Sequence, residues 1–92
     1  MNTYILNFDN KETAESLHTY LKQMLDLPAY YGHNLDALYD CLTSFSASTN
    51  IAIANFNDDN IIHRRIFNVM KDAATTNPKL HLQHPQGEWI KK

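Results

Sequence analysis

Glycine and proline are scarce in this chain, two and three in 92 residues, which leaves little room for long irregular loops. The same scarcity excludes a phosphate-cradling glycine loop. The single cysteine, Cys41, rules out an intrachain disulfide framework and fits a reducing compartment. No apolar run approaches the ~20 residues of a membrane span, the longest stretch being Ile51-Ala52-Ile53-Ala54. Met1-Asn2-Thr3-Tyr4 has neither the basic start nor the apolar run of a secretory signal, so the expected location is the cytoplasm and no membrane partner is expected. Also missing are GxSxG, Walker, GxGxxG, HExxH, HxxxH and CxxC spacings.

Basic residues are absent where they would be needed to bind nucleic acid. The 41 residues between Lys22 and Arg64 contain no lysine or arginine but hold Asp26, Asp36, Asp40, Asp58 and Asp59. A formal net charge of −2 thus hides an acidic centre between flanks of net positive charge. Such a distribution argues against a nucleic-acid partner, which calls for a basic patch with stacking aromatics. It suits a surface that attracts a cationic partner.

What is present reads as one domain, residues 1–92, with 43% hydrophobic and 20% charged residues, ordinary globular values. Tyr4 to Phe8 reads as a strand. Asp9-Asn10 offers helix-capping chemistry, with Glu12 as a capping-box partner. Ala14, Leu17, Leu21, Met24 and Leu25 form the apolar stripe of a first helix, and Leu27-Pro28 is expected to stop it. Asn34 is a good N-cap for a second helix from Leu35 to Phe45. Leu35, Leu38, Cys41, Leu42 and Phe45 fall on one side of that helix, and Asp36, Asp40 and Thr43 on the other, with Tyr39 at the edge. Ile51–Phe56 is a second strand, Ile62–Ala73 marks a third helix and Lys79–His84 a last strand; residues 85–92 are a tail without evident role. The order β-α-α-β-α-β implies an α/β fold, a three-stranded parallel sheet with helices packed on it.

The chemistry concentrates on the second helix. Two like charges at i and i+4 cost a helix a few tenths of a kcal/mol, roughly 0.2–0.5, so the fold gains little from both aspartates. Asp36 suits the positive end of the helix dipole, and Asp40, a turn further in, has less of that excuse. Framed by Tyr30, Tyr31 and Tyr39, the pair resembles two phosphates beside stacked rings, ready for Arg, Lys or protonated His on a partner. Acid–base catalysis would need a cleft and a buried carboxylate, and an enzyme is not expected. A divalent metal held by Asp36, Asp40 and His33 is the alternative, without a supporting ligand motif. Cys41 lies toward the apolar side, where a free cysteine behaves as a small hydrophobe.

The stretch Leu27-Pro28-Ala29-Tyr30-Tyr31-Gly32-His33-Asn34-Leu35-Asp36-Ala37-Leu38-Tyr39-Asp40-Cys41-Leu42-Thr43 closely resembles the core motif of the barstar family, intracellular inhibitors of barnase-type ribonucleases. The family pattern LPxYYGxNLDALWDCLT is matched at nearly every one of these 17 positions, and looser likeness extends over residues 3 to 84. The resemblance implies a protein inhibitor, free of cofactors and monomeric alone, that fills the phosphate sites of a cationic ribonuclease. Asp40 would then be the central anchor and Asp36 a second charged contact. Tyr30, Tyr31, Gly32, Asn34, Leu35, Tyr39, Thr43 and Ser44 would surround them, and Asp72 on the later helix would add a peripheral acid. The departures are Tyr39 and Phe45 where the family has Trp, His33 in place of an acid and Ser44 in place of a glycine. The segment 55–62 is also shorter, so an extra short helix is expected to be missing, and the tail from Pro85 has no family counterpart. The alternative is a barstar-like module for a cationic protein or toxin other than a ribonuclease, or for a divalent metal held by Asp36, Asp40 and His33.

Overall fold

The computed structural model describes residues 2–90, ordered as β1 (Asn2–Asn7), α1 (Ala14–Met24), α2 (Leu35–Thr43), β2 (Thr49–Ala54), α3 (Ile61–Thr76) and β3 (Leu80–Leu82). The three strands form one parallel sheet in the order β1-β2-β3, with Asn2 opposite Thr49 and Thr49 opposite Leu80. The expected α/β class and element order are therefore present. Burial alternates along the central strand, and Leu6, Ile51, Ile53, Leu80 and Leu82 are buried on one side of the sheet. Leu17 and Leu21 from α1, Leu38 and Leu42 from α2, and Ile66 and Met70 from α3 join the same core. Among the described residues no helix is long and apolar enough to cross a membrane.

The element ends depart from the sequence reading for local reasons. The N-cap of α1 is Thr13, not Asp9. Its hydroxyl accepts from the Ser16 N–H at 3.1 Å, and the Ser16 hydroxyl accepts from the Thr13 N–H, a reciprocal capping box. Helix α1 stops at Met24, three residues before Leu27. Asp26 turns left-handed (φ 51°), and the Leu27 N–H reaches back to the Lys22 carbonyl at 3.0 Å, the Schellman closure. Pro28 follows a helix that has already ended. Helix α2 begins at Leu35 as expected and ends at Thr43, two residues before Phe45. Strand β2 starts early at buried Thr49 and stops at Ala54, because Asn55 turns left-handed (φ 57°). Between β2 and α3 there is no further helix.

The tail, left without a role from sequence, folds back onto β3. Trp89 bridges Gln83 in antiparallel sense, and the Ile90 N–H donates to the Leu82 carbonyl at 2.9 Å. The reversal passes through Gly87 at φ 108°, a conformation costly for any side-chain-bearing residue. Residues Lys91 and Lys92 of that tail lie outside the described residues.

Candidate functional site

Helix α2 is divided lengthwise. Leu38 and Leu42 are fully buried, whereas Asp36 and Asp40 are exposed, with Tyr39 and Thr43 half-buried beside them. Positions 36, 39, 40 and 43 follow i, i+3, i+4, i+7 spacing and so share one outward face. Among the described residues neither carboxylate has a hydrogen-bond or ion-pair partner. The fold thus gains nothing evident from these two charges one turn apart.

The connector ahead of α2 is fixed from within. The Asn34 side chain accepts from the Ala37 N–H at 2.8 Å and donates to the Gly32 carbonyl at 3.1 Å, which caps the helix and folds the loop onto it. A Cβ on Gly32 would meet that Asn34 amide at 3.1 Å, so glycine there serves the cap. His33 turns left-handed (φ 50°). Tyr30 is 87% exposed, and its ring is available to a partner.

Tyr31 corrects the sequence reading. It is only 5% exposed, and its hydroxyl shares a 2.5 Å hydrogen bond with Nδ1 of buried His18. Burial, and secondarily the nearby Cys41, push its hydroxyl well above the usual tyrosine range. Tyr31 therefore belongs to the core and not to the exposed face. Burial, helped by the charge of His33, lowers His18 below the usual imidazole value.

The other candidates sit as follows. Leu35 is half-buried at the first turn of α2. The Thr43 hydroxyl donates to the Tyr39 and Asp40 carbonyls, and the Ser44 hydroxyl to the Asp40 carbonyl at 2.7 Å. Tyr39 and Thr76 share a hydrogen bond between their hydroxyls at 2.7 Å, which ties α2 to α3. Asp72 is exposed on α3, one turn before Thr76, and so flanks the α2 face. Asp36, Asp40 and His33 do not converge: among the described residues no group of three His, Cys, Asp or Glu side chains is placed to hold a metal ion. His33 packs its ring against Tyr31 and His18 at 5.3 and 6.2 Å between centroids. The metal alternative therefore has no ligand set. Cys41 is half-buried, and burial, then the neighbouring Asp40, raise its thiol pKa, the opposite of what a nucleophilic thiolate needs.

Sequence reasoning missed Arg65. It stands on the α3 stripe Arg65-Val69-Asp72-Thr76, spaced 4, 3 and 4, the same side of the helix that meets Tyr39. That periodicity is legible in the chain, but apolar positions were counted and the charged one between them was not.

The fold is a small α/β domain that presents a tyrosine-flanked acidic helix face to solvent. The sequence profile of the family described as Barstar (barnase inhibitor) matches residues 1–83, most of the chain. This chain belongs to the barstar family. It is also 51% identical over 45 residues to a Bacillus subtilis (strain 168) protein named "Putative ribonuclease inhibitor YrdF". That match covers 49% of this chain and 50% of the relative, so it spans about half the length of the curated protein.

Proposed function

We propose that this chain inhibits a barnase-type ribonuclease, as a cytoplasmic immunity or antitoxin protein, by setting the Asp36 and Asp40 carboxylates where RNA phosphates bind. One observation carries the reading: on α2 both carboxylates are exposed and without a partner among the described residues. Membership of the barstar family supports it, as does the name of the Bacillus subtilis relative. A ribonuclease cleft must be cationic to hold RNA, and the centre of this chain is the part without lysine or arginine.

In this reading Asp40, near the middle of the face, is the anchor for the enzyme's basic groups, and Asp36 meets a second cation. Tyr30 and Tyr39 supply flat apolar area beside the charges. Asn34 and Gly32 hold the connector, Leu35 fills the rim, Thr43 and Ser44 lock the end of the helix, and Asp72 adds charge from α3. The mechanism is occlusion and includes no catalytic step by this chain.

The test is a titration of barnase with the purified protein, following RNA cleavage, alongside Asp40→Ala. Wild type is expected to inhibit stoichiometrically. Truncating a desolvated central charge is expected to cost at least ~2 kcal/mol, about thirtyfold. Equal inhibition by both proteins would overturn the anchor role. No inhibition by wild type at micromolar concentration would favour a cationic partner that is not a ribonuclease.

A further inference from the structure

Beyond Asp36 the acidic face opens into a groove of about 680 Å³ between three helices. His18 of α1, His33 of the connector, Asp36 of α2, and Ile62, Arg65 and Ile66 of α3 line it. Arg65 is exposed, and neither its guanidinium nor the Asp36 carboxylate has a partner among the described residues. His18 is already engaged with Tyr31. The groove thus holds a guanidinium and a carboxylate in one lining, neither with a partner among the described residues, next to half-buried Ile62.

A uniformly cationic partner does not complement that pattern, because a positive group facing Arg65 would be repelled. The cation is also not remote from the binding face. It lines the same groove as Asp36. A surface of mixed sign, with a carboxylate next to a basic residue, complements both charges at once.

We propose that this groove receives an Asp or Glu side chain from the edge of the target ribonuclease's cleft, with Arg65 as its ion-pair partner and Asp36 taking the neighbouring cation. The inference rests on the ribonuclease-inhibitor reading and adds a selectivity device to it. A guanidinium grips a carboxylate in a two-pronged geometry, so the pair fixes orientation as well as charge. Ribonucleases with a basic residue at that place are rejected.

The test turns on a sign. For an inhibitor attracted only by its negative charge, Arg65→Glu makes the protein more acidic and tightens binding to a cationic enzyme. The groove requires the opposite. The inhibition constant against barnase is measured for wild type, Asp40→Ala, Arg65→Ala and Arg65→Glu, with melting curves to establish that each is folded. Arg65→Glu is expected to weaken inhibition at least about tenfold and Arg65→Ala by about threefold. Should Asp40→Ala weaken inhibition while Arg65→Glu leaves it unchanged or tightens it, the groove proposal is overturned and the inhibitor reading stands. If wild type does not inhibit, or Asp40→Ala has no effect, the inhibitor reading fails and the groove assignment falls with it.

Discussion

At the corner between β2 and α3, polar side chains are consumed by the fold. The Asn57 N–H donates to Nδ1 of His63 at 3.0 Å, and Nε2 donates to the Lys11 carbonyl at 2.7 Å. That pair of partners requires the neutral imidazole with its proton on Nε2, because a carbonyl only accepts. Asn60 caps α3 through its side-chain oxygen and donates its amide to the Glu12 carbonyl. On the outer face of α2, by contrast, the Asp36 and Asp40 carboxylates have no hydrogen-bond or ion-pair partner among the described residues. The corner shows what polar groups do when they hold a fold together. The helix face shows what they look like when the fold makes no use of them.

Substitutions can break or sharpen that contrast, and the largest effect is expected on the buried side of α2 itself. Leu38→Ala should destabilise by about 2–5 kcal/mol, from lost burial plus the cavity left behind, since Leu38 is fully buried. Thermal or urea unfolding measures this, and a wild-type melt would mean the two sides of α2 are wrongly assigned. His63→Ala should follow at about 1–3 kcal/mol, because it strands the Asn57 N–H and the Lys11 carbonyl. The folded protein should still inhibit as wild type does; a loss of inhibition at unchanged stability would erase the distinction between corner and face.

Smaller and pH-dependent is the part played by His18. Its folded pKa is lowered from 6.5, chiefly by burial and then by His33, so the unfolded chain takes the proton first as pH falls. Stability should therefore be full above pH 6.5, decline as pH drops from there to the folded pKa, and level off below it. Melting temperatures between pH 7.5 and 5.5 for wild type and His18→Gln would check this, with a shallower slope expected in the variant. The smallest effect sharpens the comparison most. Asp40→Asn removes one of two like charges a turn apart, so it should leave stability unchanged or raise it by a few tenths of a kcal/mol, roughly 0.2–0.5. The same change should markedly weaken inhibition. A residue whose removal harms binding and not folding marks the reserved surface.

The second helix was legible in the sequence almost to its last turn. Its leucine spacing and the Asn34 cap are local signals, and local signals survive in a string of letters. The cap of α1 was misplaced because Asp9-Asn10 and Thr13 both carry capping chemistry, and only the reciprocal bond to Ser16 separates them. Tyr31 was misread for a different reason. Burial of a loop aromatic depends on which helix lies across it, here α1 with His18, thirteen positions away. The tail was opaque on the same grounds, since pairing with β3 is settled by an edge that exists only after the sheet has formed. Arg65 and Asp36 line one groove though 29 positions apart, and no short window contains that juxtaposition.

The parallel pairing of β1 with β2 also sets an order of events in time. Thr3 and Asn50 lie side by side in the register, 47 positions apart in the chain. Closing so long a span costs chain entropy before any contact across it repays the cost, which makes this pairing a slow step. Helices α1 and α2 lie wholly inside the span. Leu38 and Leu42 lie in a core completed by β2 and α3, both later in the chain, and α2 alone, nine residues long, is too short to persist as an isolated helix. A nascent chain that has already exposed Asp36 and Asp40 therefore has the charges but not the rigid face. The outward face of α2 is held in place only once α3, tied to it through Thr76 and Tyr39, has packed as well.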